Sequence, residues 1–175
     1  MKKYVLLLIL SILMCDFVYA QKLEKNGTDK FTKKELKETS RETLCKKAVV
    51  GKGANMVLVR CQKVEETISL IFDLGTTEIE NYGAEDGLTL LLDNNEVVNV
   101  KADKVGQSGV FEPVKVMGPG TCLFNITKSL GLEEIEKLST HSIVAARINY
   151  EGGNKDFSVK KKDQSLVMSM LRLVR

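Results

Sequence analysis

The sequence predicts an α+β domain: an antiparallel sheet of about six short strands, with an N-terminal helix, a short middle helix and a C-terminal helix. Three observations carry this. Apolar and polar residues alternate in short runs separated by turn residues, as in Thr67–Leu74 (TISLIFDL). Thr32-Lys33-Lys34-Glu35 has the S/T-x-x-E form that opens a helix. Leu166, Val167, Met170, Leu171, Leu173 and Val174 make a broad apolar stripe at helical spacing near the end of the chain.

Taken in order, the polar stretch 21–30 reads as a flexible leader to a single domain over 31–175. Thr32 and Glu35 start a helix over 33–47 whose apolar face is thin: Leu36, Leu44 and Ala48. Gly51-Lys52-Gly53 breaks the chain. Strands follow at Asn55–Gln62 and Thr67–Leu74, close enough across Val64-Glu65-Glu66 for a hairpin. A longer acidic loop fills 76–87. Leu88–Leu92 and Val97–Ala102 flank Asp93-Asn94-Asn95-Glu96, where asparagine tolerates positive φ, so a second hairpin is expected.

Pro113 cannot donate to a ladder, which puts any strand over 110–117 at an edge. Gly118-Pro119-Gly120 turns the chain before a short strand at 121–126. Leu132, Ile135 and Leu138 share one side of a helix over 129–138. Ser142–Tyr150 and Asp156–Lys160 are strands joined across Gly152-Gly153-Asn154, and Asp163 is the candidate cap of the last helix, Gln164–Arg175. Ile71, Leu91 and Val98 place apolar residues on second faces, so the sheet is expected to be covered in part on both sides.

The start of the chain, MKKYVLLLILSILMCDFVYAQ, sets the compartment. Lys2 and Lys3 precede an uncharged run, Tyr4–Met14, that is shorter than the ~20 apolar residues a bilayer helix needs. Val18 and Ala20 put small side chains at the cut positions before Gln21, so residues 1–20 read as a cleaved secretory signal and the protein as periplasmic or secreted. The alternative is a membrane-anchored lipoprotein acylated on Cys15, against which Met14 is bulky for the residue before a lipidated cysteine. No transmembrane segment is expected in the mature chain.

The net charge of +3 falls by one when Lys2, Lys3 and Asp16 leave with the signal, a balance that excludes a general nucleic-acid footprint. Cys45, Cys61 and Cys122 then remain, an odd number that allows one internal bridge at most. None lies in a Cys-x-x-Cys motif, and no two have finger-like spacing for zinc with His141.

Several motifs stop short of chemistry. Gly51-Lys52-Gly53-Ala54 begins like a dinucleotide fingerprint but precedes a strand, whereas a phosphate cradle needs a helix N-terminus. Gly106-Gln107-Ser108-Gly109 has its second glycine one place too early for a nucleophile elbow. His141, the single histidine, could serve Ser108 or Cys122 as a base. Glu78, Glu80, Glu85 and Asp86 supply hard oxygen ligands without the EF-hand pattern, so the loop 78–86 reads as a solvated acidic surface. Lys160-Lys161-Lys162 reads as a solvated helix start. Asn26-Gly27-Thr28 and Asn125-Ile126-Thr127 match the glycosylation acceptor, with Asn125 close to the core.

The closing stretch IVAARINYEGGNKDFSVKKKDQSLVMSMLRLV resembles the ends of short exported proteins of unknown function from Gram-negative bacteria. The resemblance implies a non-enzymatic periplasmic or surface module and carries no site residues with it. The residues and the resemblance together point to an exported, non-catalytic binding or interaction module for a protein or envelope ligand, with no catalytic, metal or cofactor residues assigned and no cofactor. The alternatives are a small hydrolase using Ser108 or Cys122 with His141, and a structural envelope component. The exported protein is expected to begin at Gln21. N-terminal sequencing and intact mass check this, and an acylated Cys15 at the terminus would replace it with the anchored form.

Overall fold

The computed structural model describes residues 22–49, 53–76, 87–101, 104–106, 122–150 and 153–175. The expected signal segment, the acidic loop 78–86 and the edge segment 110–117 lie outside these residues. The described chain is mostly β, in two sheets, with two α-helices and no helix at its N-terminal side, so the expected α+β arrangement around one sheet is overturned.

In chain order the elements are β1 (Leu23–Thr28), β2 (Glu35–Thr39), β3 (Glu42–Val49), β4 (Gly53–Val64), β5 (Thr67–Thr76), β6 (Gly87–Leu92), β7 (Val97–Lys101), β8 (Lys104–Gly106), β9 (Cys122–Ser129), α1 (Leu132–Thr140), β10 (Ile143–Tyr150), β11 (Gly153–Ser158), a 3-10 turn over Lys161–Asp163, and α2 (Leu166–Val174). The larger sheet runs β1-β2-β4-β5-β9-β8, with β3 also on β4; the smaller runs β11-β10-β6-β7. Every pairing among the described residues is antiparallel.

The segment expected as a helix over 33–47 is β2 and β3, which share one edge of β4: Glu38 lies opposite Gln62, and Glu42 opposite Val59. The stretch expected as a loose leader is β1, paired to β2. The physical reason is non-local. β4 is twelve residues long, and its backbone groups on that side need partners. Pairing outweighs the helix preference of KKELKETSRETLCKK, which amounts to tenths of a kcal/mol per residue. Thr32 caps no helix; it donates its N–H and its hydroxyl to Asp29 Oδ1 in the β1–β2 turn, at 2.7 and 2.9 Å. A bulge between Thr43 and Cys45 turns consecutive residues, Leu44 and Cys45, into the core.

Both expected hairpins form. Glu65 (φ 54°) begins the β4–β5 turn, and Asn95 (φ 67°) takes the left-handed position between β6 and β7. Between the sheets, Val57, Val59 and Cys61 of β4 and Leu70, Phe72 and Leu74 of β5 share one core with Leu88, Leu90, Ala146, Ile148 and Phe157 of the smaller sheet. At the flanks, β11 lies against β3 and β7 against β9.

The two helices close this core. α2 packs on β4 and β2, with α1 against it. Leu166, Val167, Met170, Leu171 and Val174 are buried, whereas Leu173, expected in the same stripe, is exposed. Asp163 does not cap α2; Ser165 holds that position without a side-chain bond. In α1, Leu138 is buried and Ile135 partly so, but Leu132 is 88% exposed, outside the expected apolar side. Leu171→Ala is expected to cost about 2–5 kcal/mol, as for other large-to-small core changes. Leu173→Ala should stay within about 0.5 kcal/mol, as at exposed sites. Urea unfolding of the two variants checks this, and equal effects would mean that α2 is seated by another face.

Candidate functional site

The outer face of the larger sheet carries a seam of charge whose carboxylates are buried while its cations reach towards solvent. Alternation along β4 and β5 sends Val59 and Phe72 inward and Arg60, Gln62, Ile71 and Asp73 outward. Glu38 of β2 lies opposite Gln62 of β4 and Lys25 of β1. Gln62 Nε2 donates to Glu38 Oε2 at 2.8 Å, Lys25 Nζ reaches both carboxylate oxygens at 3.2 Å, and Arg60 Nη1 donates to Oε1 at 3.4 Å. Glu38 is 2% exposed.

Two strands further, Asp73 of β5 faces Asn125 of β9. Asn125 Nδ2 donates to Asp73 Oδ1 at 2.7 Å, and Thr127 donates to Asn125 Oδ1. Arg41, from the break between β2 and β3, sets Nε 2.8 Å from Asp73 Oδ2, close enough for charge pairing but out of hydrogen-bond alignment. Met56 and Ile71 are buried on this same face, as the apolar residues on second faces suggested for Ile71.

For Glu38, burial is the largest single influence and would raise its carboxyl. The bonds from Gln62 and Lys25 and the field of Arg60 together outweigh it and hold the group below the ordinary glutamate range. A carboxylate held ionised accepts hydrogen bonds and balances cations, but it is no general acid at neutral pH. The seam therefore joins strands. Two carboxylates are matched by Lys25, Arg41 and Arg60, and Asn125, one of the two glycosylation matches, has its amide directed at Asp73. The other, Asn26, is exposed on β1.

His141 follows α1. Its Nδ1 lies 3.0 Å from Asp93 Oδ1, while the Ser142 N–H donates to Asp93 Oδ2 and the Asp93 N–H to the Ser142 carbonyl. The Ser142 N–H, aided by His141, keeps the Asp93 carboxyl below its usual range against a smaller effect of burial. Lys137 adds an ion pair to Glu96 of the same β6–β7 turn.

Of the proposed nucleophiles, Ser108 lies outside the described residues, and Cys122 is described by its backbone alone, opposite Thr76 at the start of β9. Cys45 and Cys61 are unbridged, and burial pushes both thiols up to about 12. Among the described residues no three His, Cys, Asp or Glu side chains converge as a metal site. Lys160, Lys161 and Lys162 are exposed around the 3-10 turn.

A third feature has no counterpart among the motifs of the sequence. The β1–β2 loop, Asp29–Lys34, holds Phe31 at 95% exposure. The signal for it is Asp29 two residues before Phe31, the spacing of an Asx turn, which competes with the helix cap that Thr32 and Glu35 predict.

The fold and these sites define a two-sheet antiparallel β protein with a helix-closed core. No family model, curated protein or solved structure matches the chain.

Glu38 gives a pH dependence. Its folded carboxyl sits below the unfolded value, so its stabilisation is complete above the ordinary glutamate range and is lost as pH falls through the lower folded value. Glu38→Gln should lower stability by about 1.5–3 kcal/mol at neutral pH, the range for hydrogen bonds to charged groups. The variant should also lose less on acidification than the parent. Urea unfolding between about pH 3 and pH 7 reads both effects, and parallel pH profiles would show that Glu38 is not held ionised by the fold.

Proposed function

We propose that this chain is an exported, non-catalytic binding or interaction module that makes contact through the end of the larger sheet carrying the β1–β2 loop. The observation that carries the reading is Phe31, 95% exposed at the apex of a loop closed by its own hydrogen bonds. An aromatic side chain held out by a rigid turn loses little freedom when it docks. The charged groups of the seam are already engaged with one another, and the two described thiols are buried, which supports a contact surface over a reaction centre.

One observation favours a second reading. A carboxylate at Nδ1 of a half-exposed imidazole is the orienting half of a nucleophile–His–Asp device. Asp93 and His141 supply that half, and a hydrolase would need Ser108 or Cys122 at the other ring nitrogen.

A photoreactive benzoylphenylalanine placed at position 31 tests the first reading. In envelope extract it is expected to form a covalent adduct, while the same group at the exposed position of Ser158 should not. No adduct at position 31, together with hydrolysis of p-nitrophenyl acetate that His141→Gln and Asp93→Asn abolish, would replace the binding reading with the hydrolase.

A further inference from the structure

We infer that the Asp29–Lys34 loop is a peripheral membrane contact that sets Phe31 among the headgroups of an anionic lipid surface. This rests on the binding reading and names its partner. The loop is built to present one side chain. Asp29 Oδ1 accepts from the Phe31 N–H at 3.0 Å, the Thr32 N–H at 2.7 Å and the Thr32 hydroxyl at 2.9 Å. The Asp29 N–H donates to the Lys34 carbonyl and the Lys33 N–H to the Asp29 carbonyl, both at 2.9 Å, with Lys33 in the left-handed region at φ 60°. The Asp29 charge is thereby turned into the loop. What faces outward is Phe31 between Lys30 and Lys33, both exposed and neither in an ion pair among the described residues, with Lys34 beside them. Lys34 Nζ lies 3.3 Å from Glu65, both side chains about half exposed.

The choice of a lipid surface follows from shape and charge. A stable protein interface buries roughly 800 Å² on each partner around an apolar centre. The residues flanking Phe31 are lysines and a threonine, so no apolar area surrounds it. A bilayer interface needs no such area. It takes up a single aromatic ring at the headgroup boundary, while lysines bend back to the phosphates. Basic residues beside an inserted ring meet the negative potential of an anionic leaflet, and that attraction weakens with salt. A second apolar point, Leu132, lies at this end of the sheet. The Leu130 N–H donates to the Ile68 carbonyl and the Glu65 N–H to the Glu35 carbonyl, which brings the start of α1 and the β1–β2 loop to either side of the β4–β5 turn.

The chain has no tryptophan, so Phe31→Trp makes a single reporter at a site too exposed to disturb the core. In the full mature chain its emission is expected to shift to the blue with vesicles of equal parts phosphatidylglycerol and phosphatidylcholine. No shift is expected with phosphatidylcholine alone, and the first shift should be lost in high salt. Adding Lys30→Gln and Lys33→Gln should weaken partitioning about tenfold or more. An unchanged melting temperature shows that the variants are folded. No shift with the anionic vesicles, or an equal shift with both, overturns the inference. A protein adduct at position 31 without a vesicle response would overturn the lipid partner and leave the binding reading standing.

Discussion

Everything in this fold leans on β4 being paired along both edges. One edge is taken by β5; the other is shared by β2 and β3, which meet at a break over Ser40 and Arg41. A strand in that position has two faces to cover. The inner face does so with Val57, Val59 and Cys61 against the smaller sheet and α2. The outer face combines Met56 with Arg60 and Gln62, and there apolar burial and charge pairing are used side by side. The break between β2 and β3 also sends Arg41 towards Asp73, tying three strands through one ion pair.

The buried seam makes more sense as a register device than as a source of net stability. Removing carboxylates from water costs several kcal/mol, and pairing offsets that cost only when the geometry is right. Here the geometry comes from the ladder: Lys25, Glu38 and Gln62 stand in one cross-strand row, and Asp73 and Asn125 in another. A slip of β2 by one residue would turn Glu38 to the other face and leave Arg60 without its carboxylate. The penalty for the wrong pairing is thus the Glu38 carboxylate turned into the apolar core without its partners, a larger cost than the gain from the right pairing.

Helix α1 joins the two sheets. At its start the Leu130 N–H is bonded to Ile68 of the larger sheet; at its end His141 and Lys137 hold the β6–β7 turn of the smaller one. The histidine singled out for catalysis therefore also has a structural partner, Asp93, that lies far from it in sequence. At the same end of the larger sheet as the start of α1, the β1–β2 loop depends on only the last few rungs of β4, so it extends past the core and leaves its aromatic residue in solvent.

What the sequence determined by itself was whatever a short window can encode. Alternation in TISLIFDL and the asparagines of Asp93–Glu96 placed two hairpins, and helical spacing placed α1 and α2, because these signals act between near neighbours. The tertiary structure alone decided that the segment 33–47 holds strands instead of a helix, that the described chain forms two sheets, and that Glu38 and Asp73 are buried. Each of these depends on a partner remote in sequence: β4 for the supposed helix, β9 for Asp73, β1 and β4 for Glu38. A window holding Lys33–Lys47 carries good helix formers, yet their preference is small beside the ladder bonds an unpaired β4 would forfeit. A carboxylate likewise looks the same in sequence whether water or an arginine from another strand will face it.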